Sequence, residues 1–344
     1  MSAIEIYGLT KRYDVPPLRR GQLASAQLAV DEVSLAVPDG AVMGLIGPSG
    51  AGKTTLLRML ATLLKPSAGD ALINGASIRT APGVVRQNIG YLPADFGLYP
   101  NMTCAEYIEF FASCYNVPQH ERKTLTHDLL QLVDLGHRHD EPLERLSRGM
   151  KQRLGLARAL VHDPQVLLMD DPTLNLDPRA RIELKELVNQ LSEMGKTVLM
   201  TSALASEIEG MCSHLTLMGA GKILLSGSIE AMRSQLHPHR RINIRFLGEP
   251  SLAINIAQSA RGVMAVHTPS TSAANPADGL VPLNILKELH IDFNGDYTTA
   301  SDLLRSLMHT GVQVVSFGEE PMDYNITMPG ENLPGTPALE GTPL

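Results

Sequence analysis

The stretch that most constrains this chain is a glycine-rich run at residues 47–54. It fits the phosphate-binding pattern G-x-x-x-x-G-K-[ST] at every fixed position. The run consists of Gly47, Pro48, Ser49, Gly50, Ala51, Gly52, Lys53 and Thr54. Residues 41–46 before it are predicted to form a short buried strand, and the apolar spacing from Thr55 onward predicts a helix.

This context favours a phosphate site over an ordinary glycine-rich turn. Glycines let the backbone wrap closely around phosphate, while the first N–H groups of a helix point at the anion. Lys53 is then expected to reach the outer phosphates, and Thr54 to offer its hydroxyl to Mg²⁺. The sequence therefore predicts that the chain binds a nucleoside triphosphate.

Composition limits the remaining possibilities. A chain of 344 residues, 44% hydrophobic and 19% charged, fits one large folded domain with a smaller one. No apolar run reaches the ~18 residues needed to span a bilayer, and no signal-peptide pattern is predicted. The net charge of -7 and the absence of Trp argue against a nucleic-acid partner. Three scattered cysteines indicate a reduced, intracellular protein.

The segments before and after the glycine-rich run predict further elements. Residues 4–9 are expected to form an edge strand, and residues 28–37 alternate as a half-buried strand. Tyr13 is a lone aromatic residue that could equally stack on an adenine ring or pack at a strand end. Residues 103–135 show the apolar spacing of two helices, which predicts a helical region between strand-bearing halves.

A second group of residues points to the same chemistry. Ser147 precedes a helix that begins with Arg148, Gly149 and Met150, as expected for a helix N-terminus that faces an anion, although an ordinary Ser-capped helix would show the same pattern. The apolar run 166–169 ends in Asp170 and Asp171. A buried strand that delivers a carboxylate from its C-terminal end suits Mg²⁺ held beside a phosphate loop.

The order of these motifs resembles that of ATP-binding cassette (ABC) proteins. The resemblance rests on Tyr13, on the phosphate loop, on residues 146–152 and on residues 166–178, and it covers about the first 235 residues. The Ser-Arg-Gly-Met form of residues 147–150 is similar to that of ATP-binding subunits of exporters. The resemblance implies an α/β P-loop NTPase core with an antiparallel β subdomain and a helical subdomain at about residues 95–160. It also implies two cassettes that sandwich two ATP molecules.

The resemblance assigns roles to individual residues. The phosphate loop and Thr55 bind ATP, Thr54 and Asp170 hold Mg²⁺, and Tyr13 stacks on adenine. Ser147 and Gly149 contact the γ-phosphate of ATP on the opposing subunit. Asp177 lies in the loop that crosses the dimer interface, and residues 95–103 face a separate permease.

Three positions depart from the family pattern. Ala94 stands where the family has Gln, Asp171 where it has the Glu that acts as general base, and Ala203 where it has His. The binding elements are thus intact while the hydrolytic ones are eroded. We expect Mg-ATP binding with weakened hydrolysis, with Asp171 as a shortened general base, in a heterodimer whose other cassette is fully equipped. A slow homodimer, or compensation by Ser202 or Asp95, would also fit.

The C-terminal third predicts a separate small domain. Residues 238–327 show the order β-α-β-β-α-β of a ferredoxin-like α+β layer, similar to the accessory domain that follows many exporter cassettes. The cassette is expected at residues 1–237, and residues 328–344 are Pro/Gly-rich and expected to be disordered. Two His-x-His pairs, at 137/139 and 237/239, are expected to be surface residues rather than metal ligands.

Together these features predict the ATP-binding subunit of an ABC transporter, of exporter type. It would be cytoplasmic and peripheral on the inner face of a membrane, held there by a permease subunit, with a second cassette as partner and no nucleic acid. A non-transport regulatory or assembly factor of the same superfamily is the alternative. A chromosome- or repair-type cassette is disfavoured because no long heptad arm separates the two motifs. The transported substrate is not encoded in these motifs.

Overall fold

The computed structural model describes residues 2–15, 25–95, 97, 99, 101–208, 210–236, 240–247, 249–268, 287–295 and 297–319. These residues form two compact units that divide between Ile229 and Glu230. The sequence-based boundary at 237/238 stays a prediction, since residues 237–239 lie outside the described residues, as does the tail from 328. None of the described helices has the length and apolar character needed to cross a membrane.

The first unit combines strands and helices along the whole of its length. Its strands are β1 (Ser2–Val15), β2 (Ser25–Pro38), β3 (Val42–Ile46), β4 (Ala68–Ile73), β5 (Ala76–Ser77), β6 (Ile89–Leu92), β7 (Val166–Met169), β8 (Thr197–Ser202), β9 (His214–Gly219) and β10 (Lys222–Ser228). Its helices are α1 (Lys53–Leu60), α2 (Pro82–Asn88), α3 (Cys104–Cys114), α4 (Gln119–Leu132), α5 (Arg148–Leu160), α6 (Pro178–Glu193) and α7 (Ala205–Ile208), and α8 (Ile229–Leu236) begins at the boundary.

A six-stranded sheet carries the phosphate loop. Its strand order is β10-β9-β3-β8-β7-β6, with parallel pairing from β9 to β6 and β10 antiparallel at one edge. All residues of β3 and β7 are buried, as is typical of parallel strands covered on both faces. Since Ile46 lies opposite Ser202 in the register, the loops after β3 and β8 leave the same end of the sheet.

The second sheet corrects one expectation about β1. Its antiparallel order is β2-β1-β4-β5, so β1 is not an edge strand: Ile4 lies opposite both Val37 of β2 and Ile73 of β4. The loose alternation of residues 4–9 reports which faces of the strand are buried, but it does not report how many neighbours the strand has. The apolar face of this sheet and α1 share one buried core.

The helical region consists of α3, α4 and α5. Thr103 caps α3 and forms a capping box with Glu106, because each side chain bonds the other residue's backbone N–H. Tyr107 is fully buried, and its hydroxyl accepts a hydrogen bond of 3.2 Å from Arg158 of α5. These contacts join α3 to the helix that begins with the Ser147 motif.

Besides residues 230–236 of α8, the second unit contains two helices that form a layer with one sheet. Its elements are β11 (Arg240–Leu247), α9 (Pro250–Ser259), β12 (Val263–His267), β13 (Lys287–Phe293), α10 (Tyr297–His309) and β14 (Gln313–Glu319). The antiparallel strand order is β12-β13-β11-β14, and this is the arrangement of a ferredoxin-like layer. Phe246 and Phe293 of the sheet share a separate buried core with Leu303 and Leu307 of α10.

Candidate nucleotide-binding site

Two glycines shape the loop between β3 and α1. Gly52 has φ of 105°, and a Cβ atom there would lie 2.1 Å from the carbonyl oxygen of Ala29. A Cβ atom on Gly47 would lie 2.1 Å from the carbonyl oxygen of Met218. Both contacts are with backbone, which cannot move aside as a flexible side chain can. The tight loop therefore requires glycine at both positions.

Lys53 is held inside this loop. It is the first residue of α1 and only 6% exposed, and its ammonium group donates hydrogen bonds to the carbonyl oxygens of Gly47 (2.6 Å) and Pro48 (3.1 Å). Burial lowers the pKa of Lys53, while the nearby charges of Asp171 and Asp170 act in the opposite direction. A cation is thus fixed where the loop backbone and the N-terminus of α1 meet. Pro48, Ser49 and Gly50 are exposed at the loop surface.

Thr54 and Asp170 meet across the sheet end. The Thr54 hydroxyl donates to Oδ1 of Asp170 at 2.9 Å, and the Thr201 hydroxyl donates to the same oxygen at 2.9 Å. Asp170 is 2% exposed. Mg²⁺ prefers hard oxygen ligands and is usually bound by one or two carboxylates together with substrate phosphates. A hydroxyl and a carboxylate side by side at the start of α1 fit that ion.

The backbone of Asp171 is fixed in an unusual conformation. Its φ of 42° lies in the left-handed region, and its N–H donates to Oγ1 of Thr201 at 2.8 Å. Burial raises the pKa of the Asp171 carboxyl group; the charge of Lys53 lowers it, and those of Asp170 and Glu207 raise it further. The carboxylate therefore lies near Lys53 and Asp170.

The side chains of Ala94 and Ala203 provide no hydrogen-bond donor or acceptor at this end of the sheet. Ala94 follows β6 and is half-buried, and Ala203 follows β8 and is exposed. Of the two residues that could compensate, Asp95 is exposed, whereas the Ser202 hydroxyl donates to Oε2 of Glu207 at 2.8 Å and is therefore already engaged.

Tyr13 lies on β1 at a position connected to the loop. It is 40% exposed, and the ammonium group of Lys11 is 5.2 Å from its ring centroid. In the register Tyr13 pairs with Gln27, two residues before Ala29, whose carbonyl group faces Gly52. The exposed ring therefore lies on the strand that pairs with β2, and β2 approaches the phosphate loop at Ala29.

The Ser147 motif forms a separate surface. The Ser147 side chain is exposed and caps α5 by accepting from the N–H of Met150 at 3.3 Å. A Cβ atom on Gly149 would lie 2.9 Å from Cβ of Ala180, so α5 and α6 approach closely there. Asp177 caps α6 by accepting from the N–H of Ala180 at 2.9 Å. Among the described contacts, those of Ser147 and Gly149 are with α5 and α6 and not with the phosphate loop.

Glu207 is a further polar residue of this region, and no sequence pattern indicated it. Besides Ser202, its Oε2 accepts from the Thr173 hydroxyl at 3.3 Å, and its Oε1 lies 3.8 Å from Nη2 of Arg181. A single Glu on the four-residue helix α7 belongs to no spacing pattern. Of the two His-x-His pairs, His139 contacts Asp140, and the pair at 237/239 lies outside the described residues.

In this site a glycine-rich loop connects a buried parallel strand to a helix, and a carboxylate from a nearby strand accepts a hydrogen bond from the loop's threonine. This arrangement defines a P-loop nucleotide-binding protein. The profile of the family described as ABC transporter matches residues 30–174. The ABC transporter ATP-binding protein NatA of Bacillus subtilis is 36% identical over 205 residues, which are 59% of this chain and 83% of that relative. The chain belongs to the ABC transporter ATP-binding proteins.

Two further comparisons extend this result. The probable multidrug ABC transporter ATP-binding protein YbhF of Escherichia coli is 33% identical over 300 residues, which are 82% of this chain but 52% of that relative. The alignment thus spans about half of that relative. A dimeric ATP-binding cassette in a post-hydrolysis state, bound to ADP and phosphate, has the same fold. Its TM-score is 0.59 at 24% identity, and the match covers 66% of this chain and 98% of that one.

Proposed function

We propose that this chain binds Mg-ATP at a dimer interface, drives a separate exporter permease, and hydrolyses ATP slowly at its own phosphate loop. One observation carries the proposal: Lys53, Thr54 and Asp170 form a complete binding cluster, whereas the positions around it lack a full-length general base and two polar contacts. Binding and hydrolysis depend on different residues of the site, so they can be lost separately.

The proposed binding of Mg-ATP rests on four side chains and on the phosphate loop itself. Lys53 presents a buried ammonium group to the phosphates, and the N–H groups at the start of α1 add positive potential. Thr54 and Asp170 would hold Mg²⁺, which neutralises phosphate charge when it is bound. Tyr13 offers an exposed ring for stacking on adenine. The loop residues 47–52 and Thr55 surround the phosphates.

The hydrolytic half is weakened for geometric reasons. Asp171 is one methylene shorter than Glu, and a misplacement of about 1 Å in a catalytic group costs on the order of 10²-fold in rate. Ala94 and Ala203 provide no donor or acceptor, and the loss of one preorganised donor costs roughly 10²–10³-fold. Since Ser202 is bonded to Glu207, its hydroxyl is not free to replace the missing histidine.

The proposed partners follow from the surface that carries Ser147. In the dimer, Ser147 and Gly149 would complete the ATP site of the opposing cassette, and Asp177 would lie in the loop at the interface. A relative is named a probable multidrug ABC transporter ATP-binding protein, and a fold neighbour is dimeric with ADP and phosphate bound. These likenesses support the proposal that a permease holds this chain on the inner face of a membrane. A heterodimer with a hydrolytically complete cassette fits best, and a slow homodimer is the second possibility.

A regulatory or assembly role without a permease is the alternative function. The substitutions at Ala94, Asp171 and Ala203 favour it, because such a role requires ATP-dependent closure but not rapid turnover. Co-purification of the tagged chain from solubilised membranes discriminates between the two functions. A multi-span membrane protein recovered in stoichiometric amount supports the transporter subunit.

The decisive experiment compares Mg-ATP binding with turnover in two proteins. One is the natural chain and the other carries Ala94→Gln, Asp171→Glu and Ala203→His. We expect tight binding by both and substantial turnover only by the triple variant. The triple variant with Lys53→Ala added is the control for contaminating ATPase, and it should be inactive. Equal turnover by the natural chain and the triple variant would show that the three positions are compensated.

A further inference from the structure

Glu207 joins three segments that lie far apart in the sequence. Its Oε2 accepts from Ser202 at the end of β8 and from Thr173 in the segment after Asp171, and its Oε1 pairs with Arg181 of α6. The Glu207 side chain is 16% exposed, and Thr173 and Ser202 are fully buried, so the two hydroxyl contacts are shielded from water, whereas Arg181 is 40% exposed and its Nη2 lies 3.8 Å from Oε1. Shielded contacts to a charged group are stronger than exposed ones.

One arm of this junction leads to the phosphate loop. The carbonyl oxygen of Ser202 accepts from the N–H of Gly47, the first residue of the loop, at 3.3 Å. The Thr201 hydroxyl, one residue earlier, contacts both Asp170 and the N–H of Asp171. A movement of the loop or of the ion-binding pair therefore acts directly on the end of β8.

The other arm leads to the surface that carries Ser147. Arg181 follows Ala180 on the first turn of α6, and Ala180 packs against Gly149, where even an added Cβ atom would be only 2.9 Å away. Such a close approach transmits a displacement of α6 to α5 because there is no free space to absorb it. Asp177 fixes the start of the same helix through the N–H of Ala180.

We propose that Glu207 is a positioning residue that couples the phosphate loop of this chain to its own Ser147–Gly149 surface, through Ser202 on one side and Arg181 on the other. The inference rests on the proposed function, because that surface faces the nucleotide of the opposing cassette only in the proposed dimer. Nucleotide bound at a slowly hydrolysing site would then set the position of the surface that completes the partner's site. The slowly hydrolysing site of this chain would in this way regulate the nucleotide site of the opposing cassette.

Hydrogen exchange of the full-length chain, with and without Mg-ATP, tests this coupling. The sample is kept at a dilution at which sedimentation shows a single chain both with and without Mg-ATP. In the natural chain, Mg-ATP should slow exchange at residues 47–56 and, by about 5-fold or more, at residues 148–153, as expected for a coupling of ordinary size. In Glu207→Gln the first effect and the affinity for Mg-ATP should remain, and the second should be lost.

Two further variants separate coupling from folding. Glu193→Gln removes an equal charge from an exposed position on α6 and should behave as the natural chain. Arg181→Met breaks only the α6 arm and should reproduce the loss, so it replaces Glu207→Gln if that variant does not fold.

The outcomes distinguish the two proposals. Equal slowing at residues 148–153 in Glu207→Gln, Arg181→Met and the natural chain would overturn the coupling. Binding by the natural chain without slowing there would also overturn it and leave the proposed function intact. No binding of Mg-ATP would overturn the proposed function itself.

Discussion

The Thr54 hydroxyl donates a 2.9 Å hydrogen bond to Oδ1 of Asp170, although 116 positions separate the two residues in the sequence. Thr201 donates to the same oxygen from a third strand end. The parallel sheet brings these residues together because β3, β8 and β7 are neighbours in it. If Mg²⁺ binds here as proposed, this pair would link the strength of nucleotide binding to the ion.

Replacing Asp170 with Asn should reduce the dependence of ATP affinity on Mg²⁺. Asn keeps an oxygen for the Thr54 and Thr201 hydroxyls but lacks the charge. Interactions with charged groups contribute about 1.5–3 kcal/mol, so the gain in ATP affinity caused by Mg²⁺ should fall about 10-fold or more. Titration with a fluorescent ATP analogue, with Mg²⁺ or with EDTA, measures this gain. Asp128→Asn, an exposed change on α4, should leave it unchanged. An unchanged gain in Asp170→Asn would remove Asp170 from the ion site.

Replacing Asp171 with Asn should stabilise the free protein. Burial raises the pKa of this carboxyl group in the folded state, so the unfolded chain ionises first as the pH rises, and ionisation costs stability above the folded pKa. The variant should therefore unfold at a higher temperature at pH 7, and its advantage should shrink as the pH falls toward 4. Thermal unfolding across this pH range without nucleotide checks the sign. A lower unfolding temperature at pH 7 would show that attraction to Lys53 outweighs burial.

Alanine substitutions at two glycines of the phosphate loop should lower the free energy of unfolding by different amounts. At Gly52 the Cβ atom would meet the Ala29 carbonyl oxygen, whereas at Gly50, with φ of 83°, no atom lies within 4 Å. Gly50→Ala should cost about 1–2 kcal/mol from the left-handed backbone alone. Gly52→Ala adds a backbone clash and should exceed about 4 kcal/mol. Denaturant unfolding measures both, and similar costs would contradict the clash.

The two units should unfold in separate transitions, because each unit has its own buried core. Phe293 is fully buried in the second unit, and Phe293→Ala should cost about 3–5 kcal/mol there. Calorimetry should show that this change lowers one transition, while Mg-ATP raises the other. The exposed Phe110→Ala change on α3 serves as a control for loss of a ring outside that core. A shift of both transitions by Phe293→Ala would mean that the units unfold together.

Much of the nucleotide site could be predicted because its residues lie in contiguous motifs. The buried strand before the phosphate loop, the helix at Lys53 and the apolar strand that ends at Asp170 each have a local period and a fixed spacing. The meeting of Thr54 with Asp170 followed from the expectation that both serve one ion. Ser147 as a helix cap was likewise visible from its position before an apolar helix.

The remaining features depend on contacts that no local pattern encodes. β1 was expected at an edge because alternation does not reveal that both β2 and β4 pair with it. Glu207 was missed because its partners, Ser202, Thr173 and Arg181, come from three different segments. That Ser202 is bonded to Glu207, and so is not free to compensate for Ala203, also became clear only from the fold.

The end of β8 has a consequence for how this protein can be altered. Thr201 and Ser202 are adjacent, and because side chains alternate along a strand, one hydroxyl turns toward Asp170 and the other toward Glu207. In the two proposals made above, the Thr201 side chain would serve the ion-binding pair and the Ser202 side chain would serve Glu207. A substitution that removes the Ser202 hydroxyl should then weaken the contact with Glu207 and leave the hydrogen bond between Thr201 and Asp170 in place.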